Sequence, residues 1–359
     1  MKRWICVLIL LFAMTVPVRA AELPEELTEA LPEGAEALLE DAGPFDDIAG
    51  FADGMGKILT HVQGQAKNVL NQQVRGAASV LLVVVLCGAV ESFGRSAGKG
   101  GGTLLPMVGG MSIVLLTAGS MDSLIGLGTQ TIGELQRFSK VLLPTLAAAT
   151  AACGGLTTAT FQQVTTVFLV DLLLNLIDGL LIPLTYLYIG VLTASACLSE
   201  DRLSAVAEGL KKVITWILTT ALLAFTVYLS VARVITGSVD GAKVRVAKSA
   251  IAGVVPVVGG IVAEVSETVL AGAGLLKSTI GVFGMLAILA ACAYPFLQLG
   301  VQYLLYKGTA VLSSAVGAPA LCKLINGLGG VFGLVLGMTG ACAMLLLVSV
   351  LSCVAAVMP

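Results

Sequence analysis

The chain has 359 residues, of which 57% are hydrophobic and only 12% charged. A soluble domain carries about 25% charged residues, so this chain lacks the polar surface that would cover a water-soluble body, and its mean hydropathy of +0.99 agrees. A soluble cytosolic enzyme, a nucleic-acid binder and a disordered chain are excluded, and an all-α polytopic membrane protein is left. Charge is also divided along the chain. Residues 1–57 carry eleven acids against four bases, and the remainder sixteen bases against eleven acids. No basic patch is interleaved with aromatic residues, so nucleic acid is not an expected partner, whereas membrane lipid is.

In chain order, Lys2 and Arg3 precede an apolar run from Trp4 to Val16, and Val18-Arg19-Ala20 offers small residues before Ala21. That layout predicts a secretory signal peptide over 1–20, cleaved after Ala20, with the following residues outside the cytoplasm. Residues 21–57 are acidic and broken by proline, which predicts a solvated extracytoplasmic segment. Phe51, Met55, Ile58, Leu59 and Val62 recur among polar residues, so 58–75 is expected to be an amphipathic pre-membrane segment. The membrane domain is expected over 76–359.

Apolar runs divide that domain into Gly76–Phe93, Thr103–Ile125, Val141–Gly155, Phe161–Leu198, Val213–Thr236, Ala250–Val269, Val282–Tyr306 and Gly327–Val357. Val141–Gly155 is short enough to be re-entrant or interfacial. Phe161–Leu198 is about twice the length of one span, roughly 20 residues, and divides at Pro183. About seven or eight membrane segments are expected, some of them re-entrant. Arg95 and Lys99 suit a cytoplasmic first loop. Basic residues flank Val213–Thr236 on both sides (Arg202, Lys211 and Lys212 before it; Arg233, Lys243, Arg245 and Lys248 after it), so charge alone leaves its orientation open. Leu104-Leu-Pro-Met-Val-Gly-Gly-Met111 is echoed by Val254-Val-Pro-Val-Val-Gly-Gly-Ile261, a pattern that either chance in a Gly- and Val-rich chain or an internal duplication produces.

Signals for catalysis are weak. Gly94-Arg-Ser-Ala-Gly98 fits G-x-S-x-G, but the single histidine, His61, lies before the first span, and a nucleophile elbow needs a histidine base. The same glycines miss a Walker A motif at Phe93 and at Gly100. The eight cysteines form no C-x-x-C and lie in or beside apolar runs, where they pack as small apolar side chains. No enzyme, cofactor or metal site is expected.

The polar residues inside apolar runs are more informative. Asp171, Asn175 and Asp178 are spaced to share one helix face. Ionisable groups cost at least about 2.5–3.5 kcal/mol each in hydrocarbon, so the stripe must line a water-filled path or act as glue between helices. Gln298 and Gln302, one turn apart, and Lys277 are its candidate partners. Glu264 and Glu267 form a second acidic pair. Gly329, Gly333 and Gly337 form a G-x-x-x-G-x-x-x-G ridge suited to close helix packing, within the chain or with a partner.

The stretch from Asp240 to Lys307 resembles the stage III sporulation protein AE family. The residues that carry the likeness are Asp240-Gly241, Arg245-x-Ala247-Lys248, Pro256-Val257-x-Gly259, Glu264 and Glu267 with Thr268, Leu275-Leu276-Lys277, Thr279-x-Gly281, Gly284, Ala293-x-Pro295 and Tyr306-Lys307. Lys140-Val-Leu-Leu-Pro144 before Gly154-Gly155 extends it, and the likeness spans nearly the whole chain apart from the acidic segment. The resemblance implies a multi-span protein of the mother-cell membrane around the forespore. It also implies membership of a secretion-like channel complex that includes extracytoplasmic subunits and a cytoplasmic ATPase. The family supplies no catalytic residues. Three functions remain: a core membrane subunit of that complex, a permease for a small molecule, and a non-conducting assembly scaffold.

Overall fold

A computed structural model describes residues 24–32, 34–36, 48–96, 104–152, 157–198, 201–237, 259–316 and 319–355. The signal segment and residues 21–23, 33 and 37–47 of the acidic stretch lie outside these residues. Every regular element among them is a helix: α1 (Glu25–Glu29), α2 (Ile48–Ser96), α3 (Leu104–Ala152), α4 (Thr157–Leu176), a π-turn (Ile177–Leu181), α5 (Ile182–Leu198), α6 (Asp201–Gly237), α7 (Gly259–Ala315) and α8 (Pro319–Ala355). Six helical stretches are long and apolar enough to cross a membrane. The protein is therefore an all-α, multi-pass membrane bundle.

Several expected boundaries move. The pre-membrane segment and the first apolar run share α2 without a break. Thr103–Ile125 and Val141–Gly155 are not separate segments, because α3 runs through Pro144. Proline removes one backbone hydrogen bond, and Leu142, Leu143 and Leu146 around it are buried deeply enough to hold the helix across that gap. Phe161–Leu198 does not turn back at Pro183. The chain widens into the π-turn immediately before this proline and continues as α5. A π-turn gives the proline ring room beside the preceding turn, which an α-helix would deny it. Residues 250–258 of Ala250–Val269 lie outside the described residues, and 259–269 open α7 without a break before Val282–Tyr306; the 254–258 part of the repeat echo and the end of the Gly94–Gly98 motif also lie outside.

α7 and α8 form the central hairpin. Their apolar windows are 67% and 61% buried, against 22% for α2 and 17% for α6, which lie at the periphery. Tyr306 and Phe332 meet edge to face in its core, with centroids 5.2 Å apart. Glycines let the other helices approach closely. A methyl added at Gly54, Gly109 or Gly284 would lie 2.7 Å from Leu286, Cys87 or Leu142 respectively. Gly88 against Val316, Gly109 against Cys87 and Leu321, and Gly110 against Ala196 put the C-terminal ends of α2, α5 and α7 together with the N-terminal ends of α3 and α8.

The bundle is taller than a bilayer core. The 49 residues of α2 extend about 73 Å at 1.5 Å per residue, against about 30 Å of hydrocarbon. Exposed large apolar side chains occur along much of the height, with Phe168 and Leu172 on α4, Leu223 and Val227 on α6 and Met344 and Leu351 on α8 toward the far end; toward the shared end Leu82, Leu86 and Phe93 on α2, Leu115 on α3, Leu187 on α5 and Leu304 and Val311 on α7 form a band. On three helices this band spans 17 or 18 residues, from Phe93 back to Arg75, from Leu105 to Asp122 and from Ala196 back to Asp178. Each interval is about 26 Å, close to one hydrocarbon thickness, and the only charge strictly between its limits is Glu91 in its last turn.

Candidate functional site: a polar belt and a lysine-rich end

Past the apolar band, polar side chains of four helices gather at one level. Asp171 and Asn175 are one turn apart on α4, and the Asn175 Nδ2 donates to Asp171 Oδ2 at 3.0 Å. Gln136 Nε2 of α3 donates to Asn175 Oδ1 at 2.6 Å. Lys140 Nζ, one turn further along α3, lies 4.0 Å from Asp171 Oδ1. Two carboxamides, a carboxylate and an ammonium thus make a ladder that ties α3 to α4. The ladder faces outward, with the side chains of Lys140 and Asp171 57% and 42% exposed. Asp178 is exposed in the π-turn.

Gln298 and Gln302 are not the partners of this stripe. α4 packs on α3, α6 and α8, while both glutamines belong to α7. Gln298 donates to the Tyr294 hydroxyl, and its backbone carbonyl accepts from Gln73 of α2 at 3.2 Å. Gln302 is buried, and its Oε1 has no hydrogen-bond partner among the described residues. Gln136 and Lys140 take the role expected of the α7 residues. The signal for them was the +4 spacing of two polar side chains in a helix that resumes apolar character at Val141. Lys277, Glu264 and Glu267 sit on the N-terminal part of α7, and their side chains lie outside the described residues.

On the other side of α3, Gln130 Nε2 donates to the buried Glu134 carboxylate at 2.9 Å. A cavity of about 410 Å³ opens there, lined by Gln130, Glu134, His61, Gln65 and Tyr294 among others. His61 and Gln65 are hydrogen-bonded at 2.8 Å. No group of three or more metal-ligating side chains occurs among the described residues.

Within the height of the apolar band, lysines gather between the helices, Lys307 lying between the exposed Leu304 and Val311. Lys307 Nζ donates to Asn326 Oδ1 at 2.5 Å and lies 5.8 Å from the Tyr303 ring centroid. Asn326 and Gly330 are one turn apart on α8, and Gly330 makes room for Lys211. A Cβ there would sit 2.9 Å from Lys211 Nζ and 3.4 Å from the Tyr188 hydroxyl. Tyr188 in turn donates to the Gly327 carbonyl at 3.2 Å. Lys323 lines a small cleft nearby with Pro106 and Ser204. The glycine ridge starts at this level. Gly329 and Gly333 pack against Tyr306 and Tyr303 of α7, and Gly337 faces Leu218 of α6.

A tall helix bundle with an exposed apolar band and a polar belt beyond it is a multi-pass membrane protein. Residues 52–357 match the family described as Stage III sporulation protein AE. The chain belongs to that family, a family of sporulation proteins whose description names no catalytic activity. It is 26% identical over 215 residues to the stage III sporulation protein AE of Bacillus subtilis (strain 168). That alignment covers 60% of this chain and 54% of the relative, so the chain spans about half the length of the curated relative it matches. No solved structure matches.

Proposed function

We propose that this chain is a membrane subunit of the channel complex that joins mother cell and forespore, seated in the mother-cell membrane around the forespore. In this reading the shared end, where Lys323 stands near the start of α8, faces the mother-cell cytoplasm, in keeping with the positive-inside rule, where a cytoplasmic ATPase of the complex would approach. The polar belt marks the far membrane face. The part of the bundle beyond it, with the Ile48 end of α2, stands between the two membranes and is available to extracytoplasmic subunits. The observation that carries the reading is the family match over 52–357 together with helices more than twice as long as the bilayer core requires.

The Asp171 stripe acts in this reading as glue and as a positioning surface, because its partners lie on the outer groove between α3 and α4 rather than in the bundle interior. Complementation in a spore former that lacks the protein tests both parts. Wild type is expected to restore forespore gene expression after engulfment, and the Asp171→Asn, Asp178→Asn double variant to do the same at equal membrane abundance. An abundant double variant that fails would replace glue with a conduction path. Failure of wild type itself would remove the channel-complex reading.

The cavity beside Glu134 favours one second reading, a permease for a small polar solute. A buried carboxylate with amide and imidazole neighbours is the usual furniture of such a path. Under the channel-subunit reading Glu134→Gln leaves complementation intact. If it abolishes function while abundance holds, the permease reading takes over.

A further inference from the structure

We propose that the cavity between α2, α3 and α7 binds a small organic cation, a primary ammonium on a short apolar body, with its head on the Glu134 carboxylate. Glu134 is only 9% exposed, and its Oε1 accepts from Gln130 Nε2 at 2.9 Å. It has no cationic partner among the described residues, where the acids in ion pairs are Asp53 and Asp171. A carboxylate this deep costs free energy unless an opposite charge meets it. The cavity's other groups leave that charge unanswered. Gln65 Nε2 donates to His61 Nε2 at 2.8 Å, a bond that only a neutral imidazole accepts. Of the bases nearest on the same helices, Lys57 pairs with Asp53 at 3.3 Å. Lys67 is exposed and two residues from Gln65, a spacing that puts it on a different face of α2. Arg137 is exposed and donates through Nε to the Gly133 carbonyl at 3.4 Å. The cavity is short of one positive charge.

Size and walls choose the class of cation. At about 410 Å³ the cavity falls in the range of small-molecule sites, about 300–1,000 Å³. A bare divalent ion would instead need several oxygens converging at about 2–2.6 Å, and no group of three acidic, His or Cys ligands occurs among the described residues. Leu127, Ala290, Ala291 and Ala293 supply an apolar wall for a carbon body. The Tyr294 hydroxyl is taken by Gln298, so Tyr294 has its ring to offer, a surface that attracts an ammonium group. A strap closes one side. Leu27 and Ala35 are fully buried, α1 rests on α3, and Gly34 turns at a φ of 84° into the cavity wall. The same short segment leaves Glu25, Glu26, Glu29 and Glu36 exposed, and acids beside an entrance draw cations toward it and repel anions. The inference rests on the cavity of the permease reading and names the solute class for it, but it asks only for binding.

The test is a ligand-observed NMR titration of the full chain in detergent at neutral pH, with butylamine, butanol and butyrate as probes of one size and three charges. Wild type is expected to bind butylammonium at least about tenfold more tightly than butanol, as one charge-assisted hydrogen bond implies, and butyrate least of all. Glu134→Gln, of the same shape without the charge, should lose that tenfold preference while holding butanol unchanged. Ala293→Phe, which intrudes from a half-buried place in the wall, should weaken both while leaving helix content unchanged. Equal affinity of wild type for butylammonium and butanol overturns the proposal, as does a preference that survives in Glu134→Gln. If sodium ions displace butylammonium at similar concentration, the site takes a bare cation and the organic assignment falls. Should Glu134→Gln not fold, wild-type preference and Ala293→Phe still decide. Binding and complementation separate the two claims. A Glu134→Gln variant that loses the amine yet complements fully keeps the site and ends the permease reading, whereas a wild type that binds no amine ends the site whatever complementation shows.

Discussion

Asn175 makes two side-chain hydrogen bonds, one along its own helix and one across to α3, whereas Lys140 reaches Asp171 only at 4.0 Å with both side chains substantially exposed. Interhelical side-chain bonds in membrane proteins average about 0.6 kcal/mol, and exposed ion pairs fall between about 0 and 1. Removing two bonds at once should therefore cost more than weakening one long pair. Asn175→Ala is expected to destabilise the detergent-solubilised protein by about 1–2 kcal/mol, and Lys140→Ala by less than about 0.5. Thermal unfolding of both variants checks the order, and a larger shift for Lys140→Ala would mean that the ion pair carries the ladder. The spacing of Asp171, Asn175 and Asp178 was enough to show that they share a face. It could not show which helix meets that face, because periodicity gives an angle about one axis and nothing about the neighbour. The expected partners Gln298 and Gln302 were chosen by chemistry alone, and Gln136 and Lys140 had equal chemistry.

Helix boundaries show the same division. Apolar runs located the membrane helices, since each must bury or immerse an apolar face. Proline misled twice. Pro183 suggested a division into two spans, and the short run opened by Pro144 a re-entrant or interfacial segment, yet both prolines stay within helical paths, one beside a π-turn and one in a well-buried stretch. What decides is how firmly flanking residues are packed, which a sequence does not display. The glycine ridge on α8 was legible as a motif, but its members meet different neighbours. Gly329 lies against the Cβ of the fully packed Tyr306, where an added Cβ would sit at 3.1 Å with the Lys307 backbone close behind, whereas Gly337 has only Leu218 at 3.9 Å. Gly329→Leu should split the α7–α8 hairpin and lower stability by about 3 kcal/mol or more, and Gly337→Ala should cost well under about 1. Unfolding midpoints of the two variants in the same detergent test this, and equal losses would mean that the ridge acts as one surface.

At the scale of the whole molecule, lysines scattered along the sequence on different helices come together once the chain is folded, Lys211 and Lys307 against the same turn of α8. Lys211 and Lys212 precede the apolar part of α6, Lys307 is near the end of α7 and Lys323 near the start of α8. Read in sequence, the bases on both sides of Val213–Thr236 left its orientation open. In the fold, Lys211 of the preceding cluster meets the turn of α8 that also holds Lys307. Under the proposed orientation, with positive charge on the cytoplasmic side, the Ile48 end of α2 points outward and the height of the bundle would carry it past the far membrane face. Thr60, exposed in the polar half of α2, and Lys212, exposed toward the shared end, report on the two ends. In a background with the native cysteines replaced, a membrane-impermeant maleimide added to intact cells should label Thr60→Cys and spare Lys212→Cys, and inverted vesicles should reverse the pattern. The opposite labelling would put the shared end outside and detach it from any cytoplasmic motor. Labelling of Thr60→Cys from neither side in intact complexes, but from outside once other subunits are deleted, would mean that the projecting half of the bundle is covered by extracytoplasmic partners, as a subunit standing between two membranes requires.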